Sequence, residues 1–167
     1  AALFIYLNRH GFNGLCRYNR KGEFNVPFGR YEKPYFPAKE LLAFHQKSSS
    51  KTATVKLIHQ DFRTTMNQAQ TGDVVYCDPP YVPLSATASF TGYAAGGFSP
   101  RDQQDLADLA SDLSSRGVTV LISNHNTPFT QQAYAEAHIQ TLSVQRNISC
   151  QGSQRGKASE ILALFKA

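Results

Sequence analysis

The chain has 167 residues, 41% of them apolar, with 17 Lys and Arg against 12 Asp and Glu for a formal charge of +5. That length can build one domain of ordinary size around a real core, and the apolar share excludes a disordered chain. The basic balance favours an anionic partner without naming it, and no apolar run is long enough to span a bilayer.

In chain order, "AALFIYLNRHG" opens without Met inside an apolar helical pattern. Ala1, Ala2, Phe4, Ile5 and Leu7 read as the tail of a longer helix, so the sequence is expected to be a C-terminal portion of a longer protein. Basic residues then gather in "NRHGFNGLCRYNRKG", a stretch with no acid. "LCRYNRKGEFNVPFGRY" predicts a β-hairpin, with strands at Leu15 to Asn19 and Glu23 to Pro27 and a turn at Arg20-Lys21-Gly22. Gly22 supplies the positive φ such a turn needs. "AKELLAFHQKS" is a short helix and "SSSKT" a joint.

From about residue 54 the rhythm changes. "TATVKLIHQ" predicts a strand and "DVVYCD" a second, more fully buried one. "PRDQQDLADLASDLSSR" predicts a helix capped by Ser99, with Pro100 in its first turn and Leu106, Leu109, Ala110 and Leu113 on one face. "GVTVLISNH" is a buried strand, "TPFTQQAYAEA" a helix, and "HIQTLSVQR" and "SEILALF" the last strands. Strands alternating with helices imply an α/β fold with a largely parallel sheet. Two regions follow: residues 1–50, polar and turn-rich, and residues 54–167, the α/β part.

Cys16, Cys77 and Cys150 form no CxxC pair, and His10, His45, His59, His125 and His138 show no ligand spacing, so no metal site is expected. An odd number of scattered cysteines fits reduced thiols in the cytoplasm.

In open α/β sheets ligands sit beyond the carboxyl ends of the strands. Two strands end there in polar sequence: "DPPY" at Asp78 to Tyr81 and "SNHN" at Ser123 to Asn126. An amine conjugated to an aromatic ring, such as the exocyclic amine of adenine, has a delocalised lone pair and is a poor nucleophile. Accepting hydrogen bonds from its two N–H groups draws the nitrogen towards a tetrahedral form as a new bond grows. Asp78 offers a carboxylate for this, and Pro79 a carbonyl on a backbone whose φ is locked. Pro80 continues the stiff turn, and Tyr81 offers a ring face to stack an extruded base. His125 is a candidate to line the same end of the sheet or to serve structurally. Ser85, Thr87 and Thr91 are candidates for a loop over substrate, and "RNISCQGSQRGKA", with Arg155 and Lys157, for a DNA-touching or merely polar loop.

Asp78-Pro79-Pro80-Tyr81 matches the catalytic motif of the amino-group DNA methyltransferases. "YLNRHGFNGLCRYNRKGEFNVPFGRYEKPYFP" (Tyr6 to Pro37), "VVYCDPPYVPLSATASFTGY" and "VLISNHNT" resemble more closely the DNA adenine methylases of the Dam type, which methylate adenine in GATC. The resemblance implies a class I S-adenosylmethionine-dependent (Rossmann-like) sheet, here incomplete, with a target-recognition hairpin region at residues 1–50. It implies base flipping in double-stranded DNA and methyl transfer to the exocyclic amine, in DNA adenine methylation or restriction–modification, by a monomer when full length. Asp78 would also face the cofactor.

By the same resemblance Arg17 matches the reader of an outer guanine, and Leu15 and Pro27 match apolar residues facing a thymine methyl. Asn13 matches an amide near the partner of the extruded base, and Tyr31 an aromatic at the hairpin's end. Phe12 stands where the family commonly has Tyr, a wedge in the gap left by the flipped adenine; it keeps the stacking face without the hydroxyl. Arg9, Arg30 and Lys33 suit phosphates, which position rather than specify. The family's glycine-rich cofactor turn precedes its recognition region, and no Gly-x-Gly turn occurs before Asp78; Gly96-Gly97 follows the motif. These 167 residues alone are therefore expected neither to bind the cofactor usefully nor to methylate DNA. Two other readings stay open: an inactive remnant that only binds DNA, and a methyltransferase for another conjugated amine in RNA or protein.

Overall fold

A computed structural model describes residues 2–19, 21–49, 55–84, 97–145 and 157–166. The chain divides into two compact units, Ala1–His59 and Gln60–Ala167.

In the first unit, helix α1 (Ala2–His10) ends at a 3₁₀ turn over Phe12–Gly14, and α2 (Ala38–Ser48) follows the hairpin region. The predicted hairpin forms, but through isolated contacts rather than two strands. Tyr18 pairs with Phe24 and Gly11 with Phe28, each as a single antiparallel bridge. Its turn is held by the Asn19 side chain, whose Oδ1 accepts from the Lys21 and Glu23 N–H groups, both at 2.9 Å. Gly22 has φ of 78°, as the turn requires. A long ladder does not develop because side-chain bonds occupy the tip and Pro27 has no N–H to give.

Residues 55–60 carry no helix or strand, against the expectation for "TATVKLIHQ". Val55, Leu57 and Ile58 are exposed, and an alternating pattern makes a strand only where a neighbouring strand pairs with it.

The second unit runs α3 (Phe62–Met66), β1 (Val74–Cys77), α4 (Pro100–Ser115), β2 (Thr119–His125), α5 (Pro128–Ala133), β3 (His138–Gln145) and β4 (Lys157–Phe165). Its four strands lie in the order β1-β2-β4-β3. Only β1 and β2 are parallel, with Cys77 opposite Ile122; β4 runs antiparallel to both β2 and β3. The expected largely parallel sheet is thus mixed. β4 (Lys157–Phe165) runs back against β3 and inserts beside β2.

Helix α4 begins as its sequence demands. Ser99 and Asp102 form a reciprocal capping box and Pro100 takes the first position. Its inner face is Gln103, Leu106, Ala107, Ala110 and Leu113, one helical stripe with a single amide in it. This face packs with Val118, Val120, Ile122, Tyr134, Ile161, Ala163 and Phe165 into one core. Burying a side chain the size of Leu113 or Ile122 contributes about 1.5–3 kcal/mol. β1 departs from the expected burial: Val74 is 74% and Tyr76 61% exposed, because among the described residues β1 pairs on one side only.

Candidate active site

β1 stops at Cys77 because the next residues, Asp78, Pro79 and Pro80, include two that cannot donate to a ladder. The register that sets Cys77 against Ile122 brings Ser123 beside Asp78. Ser123 Oγ donates to Asp78 Oδ1 at 3.1 Å and lies 3.1 Å from the Tyr76 hydroxyl. Since the serine has one proton, Tyr76 can donate to Ser123 while Ser123 donates to Asp78, which orients the carboxylate.

The backbone after Asp78 is pinned from below by a buried amide network. Gln103 Nε2 donates to the Pro80 carbonyl at 2.6 Å. The Val82 N–H donates to Asn124 Oδ1 at 2.9 Å, and Asn124 Nδ2 donates to Gln103 Oε1 at 3.1 Å and to the Tyr134 hydroxyl at 3.0 Å. Gln103, Asn124 and Tyr134 are completely buried, and no buried side-chain polar atom among the described residues lacks a partner. A satisfied network of this kind specifies one loop conformation. It takes the Pro80 carbonyl; among the described residues nothing donates to the Pro79 carbonyl.

His125 lies at this end of the sheet too. Its Nδ1 is 2.7 Å from the Val82 carbonyl, which can only accept, so Nδ1 carries the proton in that bond. Its ring meets Tyr81 edge to face at 4.9 Å. Burial, with Asp78 and Glu160 nearby, pushes the Tyr81 hydroxyl above its ordinary range. Burial likewise pushes the Cys77 thiol up to about 11, which keeps it protonated and inert.

Beside Asp78 opens a pocket of about 380 Å³. Phe62, Thr65 and Met66 of α3 form one wall, β1 and the two prolines another, and Phe98 and Leu106 the third. Arg63 fastens that α3 wall to α4 through Asp102 at 2.6 Å and Asp105 at 2.5 Å, while also bonding Asp61 at 3.3 Å. The Ser99 hydroxyl and then Arg63 pull the Asp102 carboxyl down to about 2, and the two aspartates raise Arg63 further. Sequence reasoning missed α3, the Arg63 hub and Gln103. The available signals were Asp61 as an N-cap, which accepts from the Arg63 N–H at 2.8 Å, and one amide in register with an apolar helical stripe.

The first unit carries the residues expected to read DNA. Phe12, 44% exposed, stands on the 3₁₀ turn with its N–H bonded to the Pro27 carbonyl at 2.9 Å. Asn13 beside it has φ of 53°, a left-handed position that a non-glycine residue rarely takes outside special turns. Arg9, Asn13, Tyr31 and Lys33 share a pocket of about 420 Å³, and the Arg9 guanidinium lies 5.4 Å from the Tyr35 ring centroid. Gly29 makes room there: a Cβ would come within 2.4 Å of the Tyr31 ring. Leu15 is half-buried, its N–H bonded to the Phe12 carbonyl at 3.1 Å. Arg17 does not join that pocket; it bonds Asn25 across the hairpin. Arg30 is exposed. Ser85, Thr87, Thr91, Gly96, Arg155 and the rest of 146–156 lie outside the described residues, while Lys157 begins β4.

Residues 1–148 match the family model for D12 class N6 adenine-specific DNA methyltransferases. The chain belongs to this family. It is 53% identical over 167 residues to a DNA adenine methylase of Serratia marcescens, covering 99% of this chain and 60% of that protein. A DNA adenine methylase of Escherichia coli K12 is 49% identical over 166 residues, 58% of its length, and one of Vibrio cholerae 51% identical over 163 residues, 57% of its length. The chain thus spans somewhat more than half the length of the methylases it matches. Among the described residues no helix is long and apolar enough to cross a membrane, and no cluster of His, Cys, Asp or Glu could hold a metal.

Proposed function

We propose that the protein carrying this chain is a cytoplasmic DNA adenine methyltransferase that acts as a monomer on double-stranded DNA, with GATC as its site. In this reading residues 54–167 are the C-terminal part of a class I catalytic domain and residues 1–50 part of its target-recognition region. The observation that carries it is Asp78, held by Ser123 at the carboxyl end of β1, on a loop whose Pro80 and Val82 backbone groups are fastened by Gln103 and Asn124.

The geometry suits a weakly nucleophilic amine. The Asp78 carboxylate and the Pro79 carbonyl accept from the two N–H groups of an adenine exocyclic amine, and favour the charge that builds on nitrogen as the carbon bond forms. Tyr81 stacks the extruded base, and its edge-to-face partner His125 keeps the ring in place. S-adenosylmethionine, when bound, supplies an electrophilic methyl group on sulfur. The pocket beside Asp78 suits such a group: Phe62 and Phe98 give flat apolar walls, and the Asp78 carboxylate stands at its edge for a cationic ligand. Phe12 fills the gap left by the extruded base, Arg17 reads the outer guanine, and Leu15 and Pro27 face a thymine methyl. Asn13 and Tyr31 support that surface, and Arg9 and Arg30 bind phosphates.

Expressed from its natural gene in a bacterium that lacks GATC methylation, the whole protein protects plasmid GATC sites from a nuclease that cuts only unmethylated sites. Mass spectrometry of the digested plasmid finds the methyl group on the exocyclic amine of adenine. Unprotected plasmid, with the protein present and bound to DNA, leaves the remnant reading in its place.

A further inference from the structure

We propose that Asn25 is a specificity-determining residue that acts through Arg17, by holding its guanidinium so that only one edge can meet a base. The inference rests on the reading of Arg17 as the reader of guanine. Arg17 and Asn25 lie directly opposite each other, one step from the Tyr18–Phe24 bridge. Arg17 Nε donates to Asn25 Oδ1 at 2.8 Å, and Arg17 Nη2 donates to the Asn25 carbonyl at 2.9 Å. The Asn25 N–H returns a bond to the Arg17 carbonyl at 3.1 Å. One residue thus supplies both acceptors for the side edge of the guanidinium.

A guanidinium has five N–H donors, arranged so that either the Nε–Nη edge or the Nη1–Nη2 edge can make two parallel bonds. Asn25 takes the first edge. What remains is the Nη1–Nη2 end, which matches the O6 and N7 acceptors of guanine in the major groove. Both acceptors from Asn25 are neutral, so the full positive charge is kept for the approach to DNA. Arg17 is exposed, and an exposed arginine samples many rotamers unless something holds it. Holding it beforehand lowers what is lost on binding and fixes the angle at which a wrong base is tested.

The test uses the whole protein and its methylation kcat/KM on the GATC duplex and on duplexes changed at each single base pair. Arg17→Ala lowers discrimination at one outer pair by roughly 5- to 150-fold. Asn25→Ala lowers it at that same pair by about 3- to 10-fold, the size of one lost hydrogen bond, and leaves the other pairs unchanged. The double variant discriminates no worse than Arg17→Ala alone. Asn25→Asp, which keeps the acceptor and adds a negative charge, retains discrimination while weakening binding to all duplexes. Equal slowing of every duplex by Asn25→Ala, or additive losses in the double variant, overturns the inference. An Arg17→Ala protein with unaltered discrimination overturns the reading of Arg17 itself, and the inference with it.

Discussion

Asp78 differs from Asp102 and Asp105 in the company it keeps. Those two are paired with Arg63, whereas among the described residues the side chain bonded to Asp78 is a neutral serine. A carboxylate engaged by a guanidinium has fewer free lone pairs for a substrate amine; one oriented by Ser123 keeps spare lone pairs. In the hairpin the same contrast separates the proposed base reader from the proposed phosphate contact. Arg17 is held in one geometry, while Arg30 is exposed and, among the described residues, bonds no other side chain. Arg30→Ala therefore weakens duplexes of every sequence alike, and the slope of log affinity against log salt falls by about 1. Fluorescence anisotropy at several salt concentrations measures this; a loss confined to one base pair would make Arg30 a reader instead.

At the scale of elements, α4 positions the site as much as it builds the core. Its stripe of apolar residues is interrupted once, by Gln103, and that amide reaches the Pro80 carbonyl. Gln103→Leu keeps the volume and removes both bonds, leaving the Pro80 carbonyl and one Asn124 donor unpaired at about 1–3 kcal/mol each. The whole protein is expected to lose at least about tenfold in methylation kcat while its KM for duplex changes little, since loop placement acts on the reacting geometry. An unchanged kcat in a folded Gln103→Leu protein would mean that the network serves stability alone. The residue before Gln103 in the same turn, Asp102, gives a pH effect. Asp102 has a folded pKa of about 2, below its ordinary value of about 3.8. Its contribution to stability is therefore complete above about pH 4 and is lost as pH falls towards 2. Because the Ser99 hydroxyl is the largest cause, Ser99→Ala should show a smaller fall in Tm between pH 5 and pH 2, measured by circular dichroism. Parallel Tm curves for the two proteins would contradict this.

For the molecule as a whole, what could be read from the residues depended on how local the cause was. The α4 cap, its apolar stripe, the Gly22 turn and the stop after Cys77 are set within a few neighbouring residues, and each formed as expected. The insertion of β4 beside β2 depends on contacts some forty residues apart in sequence, such as Ile122 with Ala163, and alternation cannot report pairing order. "TATVKLIHQ" misled for the same reason: its pattern suits a strand, and among the described residues no strand pairs with residues 55–60. Helix α3, five residues long, is too short to show a period. The Arg17–Asn25 pair is visible only once the hairpin register is known. The proposed cofactor site is a further case. The pocket beside Asp78 has its apolar walls here, but no Gly-x-Gly turn precedes it in these 167 residues. Isothermal titration of this chain with S-adenosylmethionine is expected to show no useful binding; micromolar binding by a monodisperse monomer would show that the pocket alone suffices.

The claim on which the account turns is that Asp78 acts on the reacting amine and not on DNA binding. The direct measurement is single-turnover methylation of a GATC duplex by the whole protein and its Asp78→Ala variant, with duplex affinity measured alongside. The account predicts a rate lower by about two to three orders of magnitude and an affinity within about twofold. Near-normal turnover in Asp78→Ala, or a loss of duplex binding as large as the loss of rate, would contradict it.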